Sequence, residues 1–185
     1  MKIIVIIILS TFIMASDQYK EPQYKLLHSQ NNIEIRQYDE YVVARTSISN
    51  NADENDNNMF RNLAGYIFGN NKSEKSIPMT APVTTYDDGS DYHMIFYMLE
   101  ANSIDDLPLP NGKNVELETM RLDKCAVLKF SWTTRESRVE KFKEELVKYL
   151  DDNNYETISP FMLNRYDPPW TLPFMRRNEI IVKIK

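Results

Sequence analysis

The sequence is poor in the residues that most often carry chemistry: one cysteine, four glycines and two histidines in 185 residues. A single thiol, Cys125, excludes an internal disulfide. It sits in the strand-like run Lys124–Trp132, where a buried, inert thiol is expected. Four isolated glycines, Gly65, Gly69, Gly89 and Gly112, cannot write a phosphate-cradling loop or a dinucleotide fingerprint. The two histidines, His28 and His93, fall in no metal-binding spacing, and no Cys-x-x-Cys is present, so a zinc site is not indicated. His93 lies in a run that reads as buried, where a hydrogen-bonded core imidazole is expected rather than a catalytic base. The acid pairs Asp87-Asp88 and Asp151-Asp152 fall in turn-like and helix-end settings that suit solvated carboxylates. No residue is singled out as catalytic or metal-ligating, and binding is expected in place of enzymatic catalysis.

A basic excess is also lacking. The formal net charge is −5 with the acids spread along the chain, a surface that a phosphate backbone repels, so nucleic acid is not an expected partner. The only long apolar run is Ile3–Leu9, much shorter than the ~20 residues that span a bilayer. With Lys2 before it and Ala15-Ser16 after it, the segment 1–16 reads as a secretory signal peptide. A retained N-terminal anchor is the alternative. The signal reading places the protein outside the cell or within the secretory pathway, without stable membrane insertion. It leaves residues 17–185 as a single domain, for no linker or composition break interrupts them. In such a setting Asn71-Lys72-Ser73 is a glycosylation sequon, which would require an exposed loop.

Short β-branched and aromatic segments predict strands at Ile33–Tyr38, Tyr41–Ile48, Val83–Tyr86, Tyr92–Leu99, Val115–Met120, Cys125–Trp132, Ile158–Leu163 and Asn178–Ile184. Met59, Leu63 and Ile67 at helical spacing predict a helix over Asn57–Phe68, ended by Gly69. A second apolar stripe, Val139, Phe142, Leu146, Tyr149 and Leu150, predicts a helix over Arg135–Asp151, with Thr133 and Glu136 as a capping box. Strands then a helix then strands, twice over, imply an α+β domain with a largely antiparallel sheet that can curl into a barrel. Nine methionines, concentrated with aromatics near the first helix, Met79 and Phe161–Phe174, suit either an ordinary core or the apolar wall of a flat ligand.

Four strings add a resemblance. Ile33-Glu-Ile-Arg-Gln-Tyr38, Phe60-Arg-Asn-Leu-Ala-Gly-Tyr-Ile-Phe-Gly-Asn-Asn71, Ile77-Pro-Met-Thr-Ala-Pro-Val83 and the ending Arg165-Tyr-Asp-Pro-Pro…Arg-Arg-Asn-Glu-Ile180 are similar to those of the SOUL haem-binding family, and stand in the family's order. The resemblance implies a distorted antiparallel β-barrel of two pseudo-repeats, each contributing one helix. It also implies non-covalent binding of haem or a related porphyrin. The family's pocket positions correspond here to Asn57, Phe60, Leu63, Ala64 and Gly65 on the first helix. In the C-terminal segment they correspond to Leu163, Trp170, Thr171 and Leu172.

The chain departs from the family pattern in two respects. Gln37 stands where some members carry a histidine proposed as iron ligand, and an amide is a poor haem ligand, so no strong axial bond is expected. Positions where other members are basic are Asn57, Gly65 and about Thr171, which leaves Arg61, Arg176 or Arg177 to meet the propionates. The leading expectation is a secreted tetrapyrrole carrier or buffer. The alternatives are an interaction module on the same fold, or an enzyme acting on a tetrapyrrole-like substrate with His93, Glu179 or Cys125 in its pocket.

Overall fold

The structure, a computed structural model, describes residues 19–49 and 58–185. The predicted signal segment 1–16, and Asn57 of the predicted site, therefore lie outside the described residues. Among these residues nine strands form one sheet: β1 Tyr24–Gln30, β2 Ile33–Tyr38, β3 Glu40–Ser49, β4 Val83–Asp87, β5 Asp91–Tyr97, β6 Glu116–Arg121, β7 Lys124–Phe130, β8 Met162–Arg165 and β9 Asn178–Lys183. Two α-helices accompany them, α1 Met59–Ile67 and α2 Glu136–Asp152. The strand order is β1-β2-β7-β9-β8-β4-β5-β3-β6, with every pairing antiparallel. The sheet curls into a half-barrel whose two edges, β1 and β6, do not meet. The α+β class and the distorted antiparallel barrel are as expected.

Strand alternation divides the core into three parts. On the helix side, Val42 and Ala44 of β3 with Phe96 of β5 receive Leu63, Tyr66 and Ile67 of α1. Farther along the same side, Ile33, Ile35, Ala126, Leu128, Ile180 and Val182 receive Leu146 and Leu150 of α2. The intervening residues, among them Val43, Ile95, Tyr97, Cys125, Val127 and Ile181, point into the hollow of the half-barrel and form the third cluster. Because α1 packs chiefly on β3 and β5 and α2 on β7 and β9, the middle strands β4 and β8 lie between the two helices. On the helix side these strands form a strip in which Thr85 is buried and Val83, Leu163 and Arg165 are half-buried.

Three local expectations are corrected. β1 was not predicted, and it carries His28 as an exposed residue on an edge strand. Its side chains face solvent along its whole length, which erases the burial pattern that reveals other strands. The Asn31-Asn32 turn to β2, with Asn31 at φ 54°, is the hairpin signal that remains. The capping box of α2 does not form: Arg135, not Thr133, is the N-cap, and it has no side-chain cap bond. The sequon asparagine is buried, with 1% of its surface exposed. Its amide donates to the carbonyls of Tyr66 and Lys75 at 3.0 and 2.7 Å, and its Oδ1 accepts from the amides of Ser73 and Lys75. Every polar atom of that side chain holds its own turn together, so the folded chain offers it to no glycan. By contrast, Gly69 ends α1 as expected, at φ +106°, a conformation a side chain would strain.

Candidate functional site

The strip between the helices is floored by residues that strand register sets side by side. Phe96 of β5 pairs with Val83 of β4, and Val83 pairs with Arg165 of β8. Thr85 pairs with Leu163 in the same manner. Beside α2 the strip deepens into a cavity of about 580 Å³ whose walls include Thr85, Tyr92, Thr134, Val139, Phe161 and Leu163. Ligand pockets commonly enclose ~300–1,000 Å³ with apolar and aromatic walls. The lining of this cavity also carries Asp87, Glu136 and Glu140 against one ammonium, Lys143, which lies 3.3 Å from Glu140.

Arg165 stands beside Thr134. Its Nε donates to Thr134 Oγ1 at 3.2 Å and its Nη1 to Thr85 Oγ1 at 3.0 Å. Beyond it the chain enters the 166–177 segment, which is rich in exposed apolar groups: Trp170 is 81% exposed, and Leu172, Phe174 and Met175 are also exposed. Arg176 folds this segment on itself, donating to the carbonyl of Thr171 at 2.8 Å and to that of Pro169. Trp132 anchors it from the β7–α2 connection, its amide donating to the Pro173 carbonyl at 2.8 Å.

The predicted site residues fall into three groups. Leu63 is in the core under α1, and Ala64 and Gly65 are half-buried on the same helix. Phe60 lies on the open flank of α1, its ring 5.5 Å from that of Phe96 in an edge contact, and so borders the strip. Leu163 lines the cavity, and Trp170, Thr171 and Leu172 belong to the exposed segment at its end. Arg176, expected to meet propionates, is engaged by its own segment's carbonyls. Arg177 lies over the Tyr166 ring at 3.4 Å and pairs with Glu21. Arg61 lies on another basin, of about 460 Å³, with Arg45 and Lys113. Sequence reasoning missed Thr85, Tyr92, Thr134 and, above all, Arg165. Arg165 opens the C-terminal string quoted above, yet only the strand register shows that it faces the helices.

The remaining reactive groups are held inside the protein. His93 has both ring nitrogens engaged, Nδ1 with Ser47 Oγ at 2.7 Å and Nε2 with Asp88 Oδ2 at 2.8 Å, and it stacks on Tyr86. The amides of Asp91 and Ser90 and the His93 ring hold the Asp88 carboxyl well below its ordinary value. Burial pushes the Cys125 thiol up to about 12, as befits an inert core cysteine. Glu179 is buried in a bidentate pair with Arg36 and accepts from Tyr166 Oη at 2.7 Å. Among the described residues no group of three or more His, Cys, Asp or Glu could hold a metal ion, and no helix is long and apolar enough to cross a membrane. For a haem, the apolar flank of α1 and the Trp170 segment suit the porphyrin plane. His93 is held by Ser47 and Asp88, and His28 lies on β1, four strands from β8 in the sheet.

Comparison with known proteins agrees at the level of fold and family. No curated protein matches the sequence significantly. An uncharacterized conserved protein from Listeria innocua superposes with a TM-score of 0.64 at 9% identity, over 83% of this chain and 92% of that one. The EcmrR C-terminal domain superposes with a TM-score of 0.61 at 12% identity, over 88% and 98%. A hydrolase from Listeria innocua gives 0.60 at 10% identity, over 83% and 92%. At such identities these likenesses describe the fold alone. The sequence profile described as SOUL heme-binding protein matches residues 19–183, nearly the whole described chain. The strings in their order, the curled antiparallel sheet with its two helices and this match lead to one statement: the chain belongs to the SOUL haem-binding family.

Proposed function

We propose that this protein binds haem or a related porphyrin non-covalently, as a secreted carrier or buffer, through apolar contact and without a histidine on the iron. The observation that carries the reading is the row of exposed apolar side chains Trp170, Leu172, Phe174 and Met175 at the open end of the strip between the helices. Apolar side chains are usually exposed singly, and a contiguous group marks a surface that something covers. A porphyrin laid there would bury them against Phe60 on one side and the cavity mouth on the other. The groups that an enzymatic reading needs, His93, Cys125 and Glu179, all serve internal hydrogen bonds, which favours binding over catalysis.

The test is a haemin titration of residues 17–185, read by the Soret band and by tryptophan quenching. Saturable 1:1 quenching that is largely lost in Trp170→Phe is the expected result. If neither signal saturates at micromolar haemin, the carrier reading fails. The same exposed row then favours an interaction module, for which aromatic and methionine side chains are equally suited. That reading predicts a saturable protein partner whose binding is lost in the same variant.

A further inference from the structure

We infer that Arg165 is the residue that receives a carboxylate of the bound ligand, taking the place of the basic groups missing from Asn57, Gly65 and Thr171. This rests on the porphyrin reading above and identifies the polar contact of that site.

Arg165 has an incomplete set of partners. Arg165 is half-buried, and a charge taken from water ordinarily meets an opposite charge or a full set of hydrogen bonds. Arg36, the fully buried arginine, has Glu179, Glu34 and Tyr38. Arg45 has Glu116 and Glu118, and Arg177 has Glu21 and Glu179. Arg165 has only two threonine hydroxyls, and its Nη2 binds nothing among the described residues. That nitrogen is not among the buried atoms lacking a partner, so solvent reaches it. The two hydroxyls fix the guanidinium plane while leaving donors over, an arrangement suited to a carboxylate, which binds a guanidinium fork in plane.

Register sets Arg165 beside Val83 and then Phe96, on which Phe60 rests. Adjacent strands are ~4.8 Å apart, so Phe96 and Arg165 are separated by about 10 Å, comparable to the breadth of a porphyrin ring. The apolar segment 166–177 starts at the next residue. The cavity beside α2 is lined by Asp87, Glu136 and Glu140, so a carboxylate placed inside it meets like charge. Charge therefore orients the ligand: apolar body against Phe60 and the Trp170 segment, acidic edge toward Arg165.

The experiment compares haemin with haemin dimethyl ester, in which both carboxylates are blocked, on the wild-type chain and on Arg165→Gln and Arg165→Lys. A charged hydrogen-bonded contact of this kind is worth about ten- to hundredfold in affinity. The wild type is expected to bind haemin that much more tightly than the ester, and Arg165→Gln to bind the two alike. Arg165→Lys is expected to keep part of the preference, as a point charge without the fork. The idea is overturned if the wild type binds ester and acid equally, or if a folded Arg165→Gln, judged by near-ultraviolet circular dichroism, retains the preference. The ester arm needs no variant, so a misfolded Arg165→Gln does not rescue the idea. Wild-type protein that binds neither compound overturns the porphyrin reading itself, and this inference with it.

Discussion

Glu179 grips Arg36 with both oxygens: Nη1 donates to Oε2 and Nη2 to Oε1, each at 3.0 Å, with neither side chain more than 2% exposed. Burial alone would lower the basicity of Arg36, and the paired carboxylate overrides it, holding the guanidinium charged. The pair joins β2 to β9 across β7 inside the half-barrel. Removing one partner of such a pair strands a buried charge at a cost of about 3–5 kcal/mol, whereas replacing both with apolar groups costs far less. Glu179→Gln is therefore expected to lose several kcal/mol in urea denaturation, and Arg36→Met with Glu179→Leu to recover most of it. Equal losses in the single and double variants would contradict this account.

Asn71 makes a complementary prediction. Asn71→Ala would leave the amides of Ser73 and Lys75 and the carbonyls of Tyr66 and Lys75 without their side-chain partner, at about 1–3 kcal/mol. Protein from a glycosylating host should show no mass added at this site. A glycan on the folded protein would mean that the turn opens.

Alkaline pH should unfold the protein through its buried acids. Burial raises the Cys125 thiol from 9.0, and the Tyr66 phenol from 10.0, each to about 12. Both folded values lie above the unfolded ones. Their contribution is thus whole below about pH 9 and is lost as pH rises toward about 12. The melting temperature is expected to fall between about pH 9 and about pH 11, less steeply in Cys125→Ala. A level curve would show that these groups are not sealed from water.

The acidic groups of the cavity should weaken the binding of any dicarboxylate. Glu136→Gln and Glu140→Gln are each expected to tighten haemin binding by about two- to fivefold, with the gain shrinking in high salt, as for exposed charges. Isothermal titration at low and high salt would show this. No change in either variant would place the ligand away from the cavity.

Gln37 is exposed, and its amide donates to the Tyr38 carbonyl at 3.1 Å. Gln37→Ala should leave the Soret maximum of a haemin complex where it is in the wild type. A shift would mean that this position reaches the iron.

Much of the architecture was legible in the chain. Period-two runs such as Ile33–Tyr38 and period-3.6 stripes such as Met59–Leu63–Ile67 report which side of an element is buried, because burial acts on each residue locally. The same locality explains the failures. β1 is exposed throughout, so burial wrote no pattern into it, and the Thr133–Glu136 box went unformed because α2 starts at Glu136 with Arg135 as its N-cap, two residues past Thr133. The quoted strings located Leu163 and Trp170, but being linear they could not show that β4 and β8 lie between α1 and α2.

By itself, then, the sequence determined the element types, the apolar faces and the family, since these follow from local periodicity and short strings. Only the tertiary structure decided which polar groups are spent and which remain. Asn71, His93 and Arg176 are consumed by their own surroundings, while Arg165 keeps a nitrogen open at the end of an apolar strip. The reason is physical: whether a polar group is satisfied depends on atoms brought within about 3 Å by strand register and helix packing, and residue order alone does not encode that proximity.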